Sequence, residues 1–248
     1  MFSCTDVALA RRLEAGHVHS GLVYADALLE IAGGTAIFGG LDSPFTQALG
    51  IGMNGSVAST DLDRLEAFFR ERGSKTPIDL CTLADPSIFA LIQARGYAFN
   101  EVSNVLVCRA SDFRPEPEAV EVTEARLRPW TRMVLRGFME GEEDVAEELV
   151  DSMSKTSPGF HAYYGGDSAT AAMEVYEGLA TLFGDATLPP ARGQGTQQRL
   201  IRHRVGEAFR LGCDLLSASV LPGSISHRNY ERAGFELVYA RIKVTLAS

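Results

Sequence analysis

The run Ala191-Arg192-Gly193-Gln194-Gly195-Thr196-Gln197-Gln198 is the stretch of this chain best suited to chemistry. Two glycines one residue apart let a backbone approach a ligand closely. Where such a turn leads straight into a helix, successive N–H groups and the partial positive charge of the helix N-terminus make an anion site. Two common nucleotide readings fail here. A dinucleotide fingerprint needs a third glycine where Gln198 stands, and a phosphate-binding Walker loop needs Gly-Lys-Ser/Thr, which is absent. By itself the run establishes an anion-binding turn and nothing narrower.

Carboxylates lie upstream of it. Asp185 sits in Leu179-Ala180-Thr181-Leu182-Phe183-Gly184-Asp185-Ala186-Thr187-Leu188, which reads as a strand closed by Pro189-Pro190, and Glu174 and Glu177 lie on or near the preceding strand. A strand carboxylate can take a proton, directly or through water, where burial raises its pKa toward neutrality. The three histidines of this half, His161, His203 and His227, form no triad or metal-ligand pattern. Cys4, Cys81, Cys108 and Cys213 lack CxxC spacing, so neither a disulfide framework nor a zinc site is expected.

The elements that must hold these residues follow from pattern. Gly195 to Leu211 is a helix with Ile201, Val205, Ala208 and Gly212 on one face. Cys213 to Val220 is a buried strand, Pro222-Gly223-Ser224 a break, and a short helix runs through Asn229-Tyr230-Glu231-Arg232 to a glycine stop at Gly234 before a strand from Phe235 to Ala240. The first half repeats the plan. There is a helix over Asp61 to Arg72, with Leu62, Leu65 and Phe69 on one face, and a strand over Pro77 to Cys81. A break at Asp85-Pro86, a helix from Ser87 to Ala94, a stop at Arg95-Gly96-Tyr97 and a strand from Val102 to Val107 follow. Four elements in matching order indicate a tandem duplication. Phe113-Arg114-Pro115-Glu116-Pro117-Glu118 is the expected linker, since two prolines and alternating charge prevent a helix or central strand.

At 248 residues and 46% hydrophobic composition the chain reads as globular. A formal net charge of −9 argues against a nucleic-acid partner. No apolar stretch reaches the length of a membrane span and the N-terminus has no signal-peptide pattern, so a cytoplasmic protein without a membrane partner is expected. It should act as a monomer or homodimer.

Two of these features together resemble the GNAT acyltransferases. That family carries an Arg/Gln-x-x-Gly-x-Gly/Ala loop between strand and helix and, further on, a helix ending in Tyr-Glu-x-x-Gly-Phe. Gly193 and Gly195 take the loop's glycine positions, and Tyr230-Glu231-Arg232-Ala233-Gly234-Phe235 matches the second signature. The first loop position is Pro190, and Ser224 stands where the family often has Asn. The resemblance covers residues 119 to 248, with Val120-Glu121-Val122 as first strand. It implies an α/β (α+β) fold of two tandem GNAT-like units, each a mixed, mostly antiparallel sheet flanked by helices: 1–114 a degenerate copy, 119–248 the unit that binds CoA. Between Gly52 and Thr60 the first unit has no Arg-Gly-x-Gly, and Thr60 with Asp63 resembles a capping box that would satisfy the helix N–H groups internally.

The activity implied is transfer of an acetyl group from acetyl-CoA to an amine of a small molecule or peptide, with no metal. Arg192, Gly193, Gln194, Gly195, Thr196 and Gln197 would hold the pyrophosphate, and Thr187 and Leu188 the pantetheine arm and thioester. Ser224 and Asn229 complete the binding set. Tyr230 is the implied acid for the departing thiolate, and Asp185 or Glu174 a candidate base, with a water relay as the alternative. Arg199, Arg202 and Arg204 follow the loop on the helix, where they could meet the CoA 3′-phosphate, but each reads first as a surface arginine. The acidic run Glu140, Glu142, Glu143, Asp144, Glu147, Glu148 and Asp151, in the region that in this family often borders the acceptor pocket, could attract a cationic amine but reads first as a solvated face. A non-catalytic acyl-CoA sensor is the competing reading, motivated by Pro190, Ser224 and the missing base.

Overall fold

The computed structural model describes residues 2–41, 43–111, 119–142 and 144–247; the proposed linker at Phe113–Glu118 lies outside them. The chain forms two compact units, Met1–Val105 with Leu237–Ser248, and Leu106–Glu236.

In the first unit α1 (Val7–Leu22) starts at Asp6, whose side chain accepts from the Leu9 N–H at 2.9 Å. Strands β1 (Ala27–Ile31) and β2 (Gly34–Phe38) are joined by Ala32-Gly33, both at positive φ (48° and 77°), a two-residue hairpin turn whose twist suits the strands. β3 (Gln47–Leu49), α2 (Ser59–Arg70), β4 (Thr76–Cys81), α3 (Ser87–Arg95) and β5 (Ala98–Arg109) follow. Leu62, Leu65 and Phe69 are the buried face of α2, as their spacing predicts. The helix begins earlier than expected. Asp61, not Asp63, closes its first turn, accepting from the Ala58 N–H at 2.9 Å. Asp63 lies within the helix, paired with Arg95 at 2.8 Å.

The second unit carries β6 (Ala119–Glu121), α4 (Leu127–Phe138), α5 (Glu147–Met153), β7 (Phe160–Gly165), β8 (Ala169–Tyr176), β9 (Leu179–Thr187), α6 (Thr196–Arg210), β10 (Leu215–Val220) and α7 (Ile225–Arg232). β8 and β9 meet at Glu177-Gly178, again both at positive φ. The order β10-β9-β8-β7-β6 is antiparallel except for the parallel pair β10/β9. Leu200, Ile201, Val205 and Ala208 of α6 pack with Met173, Ala180, Leu182, Leu216 and Ala218 of the sheet. Each Leu, Ile, Val or Met among them contributes about 1.5–3 kcal/mol when fully buried.

The last strand, β11 (Glu236–Leu246), pairs antiparallel with β4, Arg241 opposite Cys81 and Leu246 opposite Thr76. The first unit's order is thus β1-β2-β3-β4-β11, antiparallel except for β3/β4. Linear sequence had assigned residues 237–248 to the second half. Leu106–Arg109 at the end of β5 belong conversely to the second unit. Within each unit the strand pairing is mixed and mostly antiparallel, as expected. No helix among the described residues is long and apolar enough to cross a membrane.

Candidate active site

The site is built where β9 leaves its neighbours. β9 pairs with β10 from Leu179↔Leu215 to Leu182↔Ala218, yet continues to Thr187. On its other edge the register with β8 slips. Ala172 faces Phe183 and Thr170 faces Ala186, so Gly184 and Asp185 together oppose Ala171. This is a β-bulge, and it bends the strand. Gly184 carries it at φ 66°, with the Trp130 ring so near that a β-carbon there would lie 3.1 Å from it. The indole fixes that wall by donating to the Tyr163 carbonyl at 3.0 Å.

An unusual cation fills the bulge. Arg204, fully buried, donates to the carbonyls of Leu200 (3.2 Å), Ala172 (2.8 Å) and Phe183 (3.3 Å). It also donates to both Asp185 oxygens (2.5 and 3.2 Å) and faces the Tyr230 hydroxyl at 3.4 Å. Tyr230, also buried, donates to Asp185 Oδ2 at 2.7 Å. Burial alone would lower the Arg204 pKa, but Asp185 outweighs it and holds the guanidinium charged. Burial pushes the Tyr230 phenol well above its usual value, against the pull of Arg204, so it stays protonated.

Beyond the bulge opens a cavity of about 590 Å³. One wall is Asp185, Ala186 and Thr187 of β9 with Gly137 and Phe138 of α4; another is the loop Ala191–Gln198. Gly193 (φ 79°) and Gly195 (φ 75°) are left-handed, a conformation costly for residues with a β-carbon. Gly195 is the N-cap of α6 and no side chain caps it. The first-turn N–H groups therefore remain available to an anion. Ser224, Ser226, Asn229 and Arg232 supply the remaining polar lining. They are tied to α6 by Gln197 to Ser226 (2.9 Å), Asn229 to Gln197 (2.8 Å) and Gln198 to Asn229 (3.3 Å).

Comparison with solved structures gives the fold. A GCN5-related N-acetyltransferase from Kribbella flavida matches with TM-score 0.73 at 15% identity, over 97% of this chain and 96% of that one. A tandem GNAT protein from the clavulanic acid biosynthesis pathway matches with TM-score 0.55 at 13% identity, over 99% and 96%. The chain has the GNAT fold. A conserved protein of unknown function from Staphylococcus epidermidis is also similar, with TM-score 0.60 at 9% identity over 90% and 94%. No family model matches the sequence, and no curated protein does.

Within this GNAT fold the expected binding residues Thr187, Arg192, Gly193, Gln194, Gly195, Thr196, Gln197, Ser224 and Asn229 all line the one cavity, together with Asp185. Some are already engaged. Ser224 caps α7, accepting from the His227 N–H at 3.0 Å. Arg192 donates to the carbonyls of Thr187 (3.0 Å) and Gly137 (3.3 Å) and to Glu140 (2.7 Å), which leaves mainly backbone for an anion at that residue.

Three expected residues are placed off the cavity lining. Leu188 donates its N–H to the Ser168 carbonyl at 2.9 Å, so that amide is taken. Glu174 is buried farther along β8, opposite Thr181, and accepts from the Ser157 hydroxyl. Tyr230 lies behind Asp185 rather than on the wall. The sequence reading missed Arg204, expected on the surface, although its place with Ile201, Val205 and Ala208 on one helical face was a signal. It also missed Phe138, Gln198 and Ser226. Part of the acidic run is compensated: Glu147 is bound by Arg128 and Arg132, Asp151 by Arg128, and Glu140 by Arg192; Glu143 lies outside the described residues. Among those residues no group of three His, Cys, Asp or Glu side chains could hold a metal.

Proposed function

We propose that the second unit is an acyl-CoA-dependent N-acyltransferase that moves an acetyl group to the amine of a small molecule or peptide. One observation carries this reading: an uncapped helix N-terminus behind a two-glycine turn, opening on the cavity where β9 runs past its parallel partner. The donor set fits the group. Backbone N–H groups of α6 suit a pyrophosphate, and the free edge of β9 at Asp185–Thr187 suits an arm that hydrogen-bonds as an added strand. Acyl-CoA, when bound, supplies the thioester.

The chain's own part is proton handling and orientation. After an amine attacks the thioester carbonyl, its nitrogen must lose a proton and the departing sulfur gain one. Asp185 is the carboxylate on the cavity wall and can carry that proton between them. Tyr230 and Arg204 hold it in place from behind. The compartment, the acceptor and the oligomeric state, monomer or homodimer, belong to the same proposal. Calorimetry with CoA and a thiol-release assay with acetyl-CoA and an amine panel test it; absence of CoA binding would end it.

A second reading, an acyl-CoA sensor without turnover, is favoured by the closure of Tyr230, Asp185 and Arg204 upon one another. It expects CoA binding with no thiol release.

A further inference from the structure

Two arginines line the cavity, and they are engaged differently. Arg192 is turned back on the protein, donating to the Thr187 and Gly137 carbonyls and pairing with Glu140. Arg232, the last residue of α7, is exposed and donates to a neutral amide, Asn229 Oδ1, at 3.1 Å. A guanidinium is permanently cationic with five N–H donors, so an amide oxygen satisfies one donor and none of the charge. The last turn of α3 in the first unit also carries a guanidinium, Arg95, and there the chain supplies the anions itself, Asp63 at 2.8 Å and Glu66 at 2.9 Å from α2. The first turn of α6 holds no acid and offers Gln197 and Gln198 instead.

Those amides fix where the Arg232 guanidinium stands. Asn229 Oδ1 also accepts from Gln198 Nε2 (3.3 Å), Asn229 Nδ2 donates to Gln197 Oε1 (2.8 Å), and Gln197 Nε2 donates to Ser226 Oγ (2.9 Å). Gln197 is the second residue of α6, so Arg232 stands two hydrogen bonds from the turn proposed for the diphosphate. Ile225, Asn229 and Arg232 follow one another at helical spacing on the face of α7 that lines the cavity. Ile225 is 68% exposed there. That face thus passes from an apolar side chain to a cation over about 10 Å of helix, a span that the base and phosphate of one nucleotide can bridge.

We infer that Arg232 is a second anion position in the cavity, and that it selects a thioester donor whose nucleotide carries a phosphomonoester outside the diphosphate, with the base resting on Ile225. This rests on the acyl-CoA reading and narrows it. CoA meets the description, whereas dephospho-CoA lacks the phosphomonoester and phosphopantetheine lacks the whole nucleotide. A thioester borne on a carrier protein through phosphopantetheine would forgo both contacts.

Calorimetry of the full chain with CoA, dephospho-CoA and phosphopantetheine tests it. CoA should bind at least about tenfold more tightly than dephospho-CoA, the scale of one charge-assisted contact. In Arg232→Gln the Kd for CoA should rise to that of dephospho-CoA, whose own Kd stays unchanged, and Arg232→Lys should keep part of the difference. Ile225→Ser should weaken CoA and dephospho-CoA alike, by about fivefold, and leave phosphopantetheine unaffected. Equal affinity for CoA and dephospho-CoA in the unaltered chain overturns the inference, as does phosphopantetheine binding as tightly as CoA. A loss in Arg232→Gln that falls equally on CoA and dephospho-CoA overturns it too, since a guanidinium that merely braces Asn229 would give that result. In each of these outcomes CoA still binds and the acyl-CoA reading stands; if none of the three ligands binds, both fall together.

Discussion

Arg204 decides what Asp185 can do. Replacing it by Met removes donors to three carbonyls and leaves the Asp185 carboxylate beside the bulge without its cation, held by the Tyr230 hydroxyl. Breaking one member of such a buried pair costs about 3–5 kcal/mol, and chemical denaturation of Arg204→Met should show a loss of that size. Tyr230→Phe is milder. It deletes the bond to Asp185 and the longer one from Arg204, and should cost about 1–3 kcal/mol without weakening CoA binding. If the phenol reached the sulfur directly, kcat would fall far more than stability; if it only braces Asp185, kcat should fall modestly and in step with the carboxylate's displacement. Single-turnover kinetics beside denaturation separates the two. The sequence carried Tyr230 and Asp185 as separate candidates, because nothing in a one-dimensional string states that a side chain on α7 meets one on β9. The cation joining them was legible only in part, from its position on the buried stripe of α6.

At the scale of elements, the loop into α6 was readable because its requirements are local. Gly193 and Gly195 sit at positive φ whatever surrounds them, and a strand ended by two prolines before a helix is a pattern of consecutive residues. Gly195→Ala should strain the cap by about 1–2 kcal/mol, lowering CoA affinity about tenfold in calorimetry while α6 persists by circular dichroism. The bulge at Gly184-Asp185 was not readable, since a bulge is defined by two strands counted against each other. The cap of α2 was misplaced by two residues for a related reason: Thr60/Asp63 and Ala58/Asp61 both satisfy the spacing, and packing of Leu62, Leu65 and Phe69 selects where the helix starts. The pair β1/β2 and α1 escaped notice because α1 buries few large apolar side chains, Leu13 among them, beside the polar Glu14.

That Glu14 belongs to a feature that only the whole chain explains. It is 2% exposed, and it accepts from Arg241 Nε at 2.8 Å and from the Tyr239 hydroxyl at 2.7 Å, two residues from the far end of the sequence. Asp79 on β4 is buried nearby, 3.5 Å from His17. Burial would raise the Asp79 pKa, but the bond from His17 and the charges of Arg241, His17 and Lys243 outweigh it and hold it below the usual carboxylate value. A carboxylate whose pKa is depressed in the folded state contributes stability above its unfolded pKa and loses it as pH falls through the folded one. The first unit should therefore weaken under acid, and Asp79→Asn should flatten that dependence in urea unfolding followed from pH 7 to pH 3. Ending the chain after Phe235 acts more severely. It removes β11 from β4, takes away Arg241 and Tyr239, and strands the Glu14 carboxylate in the core without its cation. An uncompensated buried charge together with an unpaired strand edge exceeds what a marginally stable unit tolerates. Limited proteolysis of the truncated chain should cut within residues 7–81 under conditions that leave the intact chain whole. Full protection there would mean that β4 finds its ladder and Glu14 its cation without the C-terminal strand.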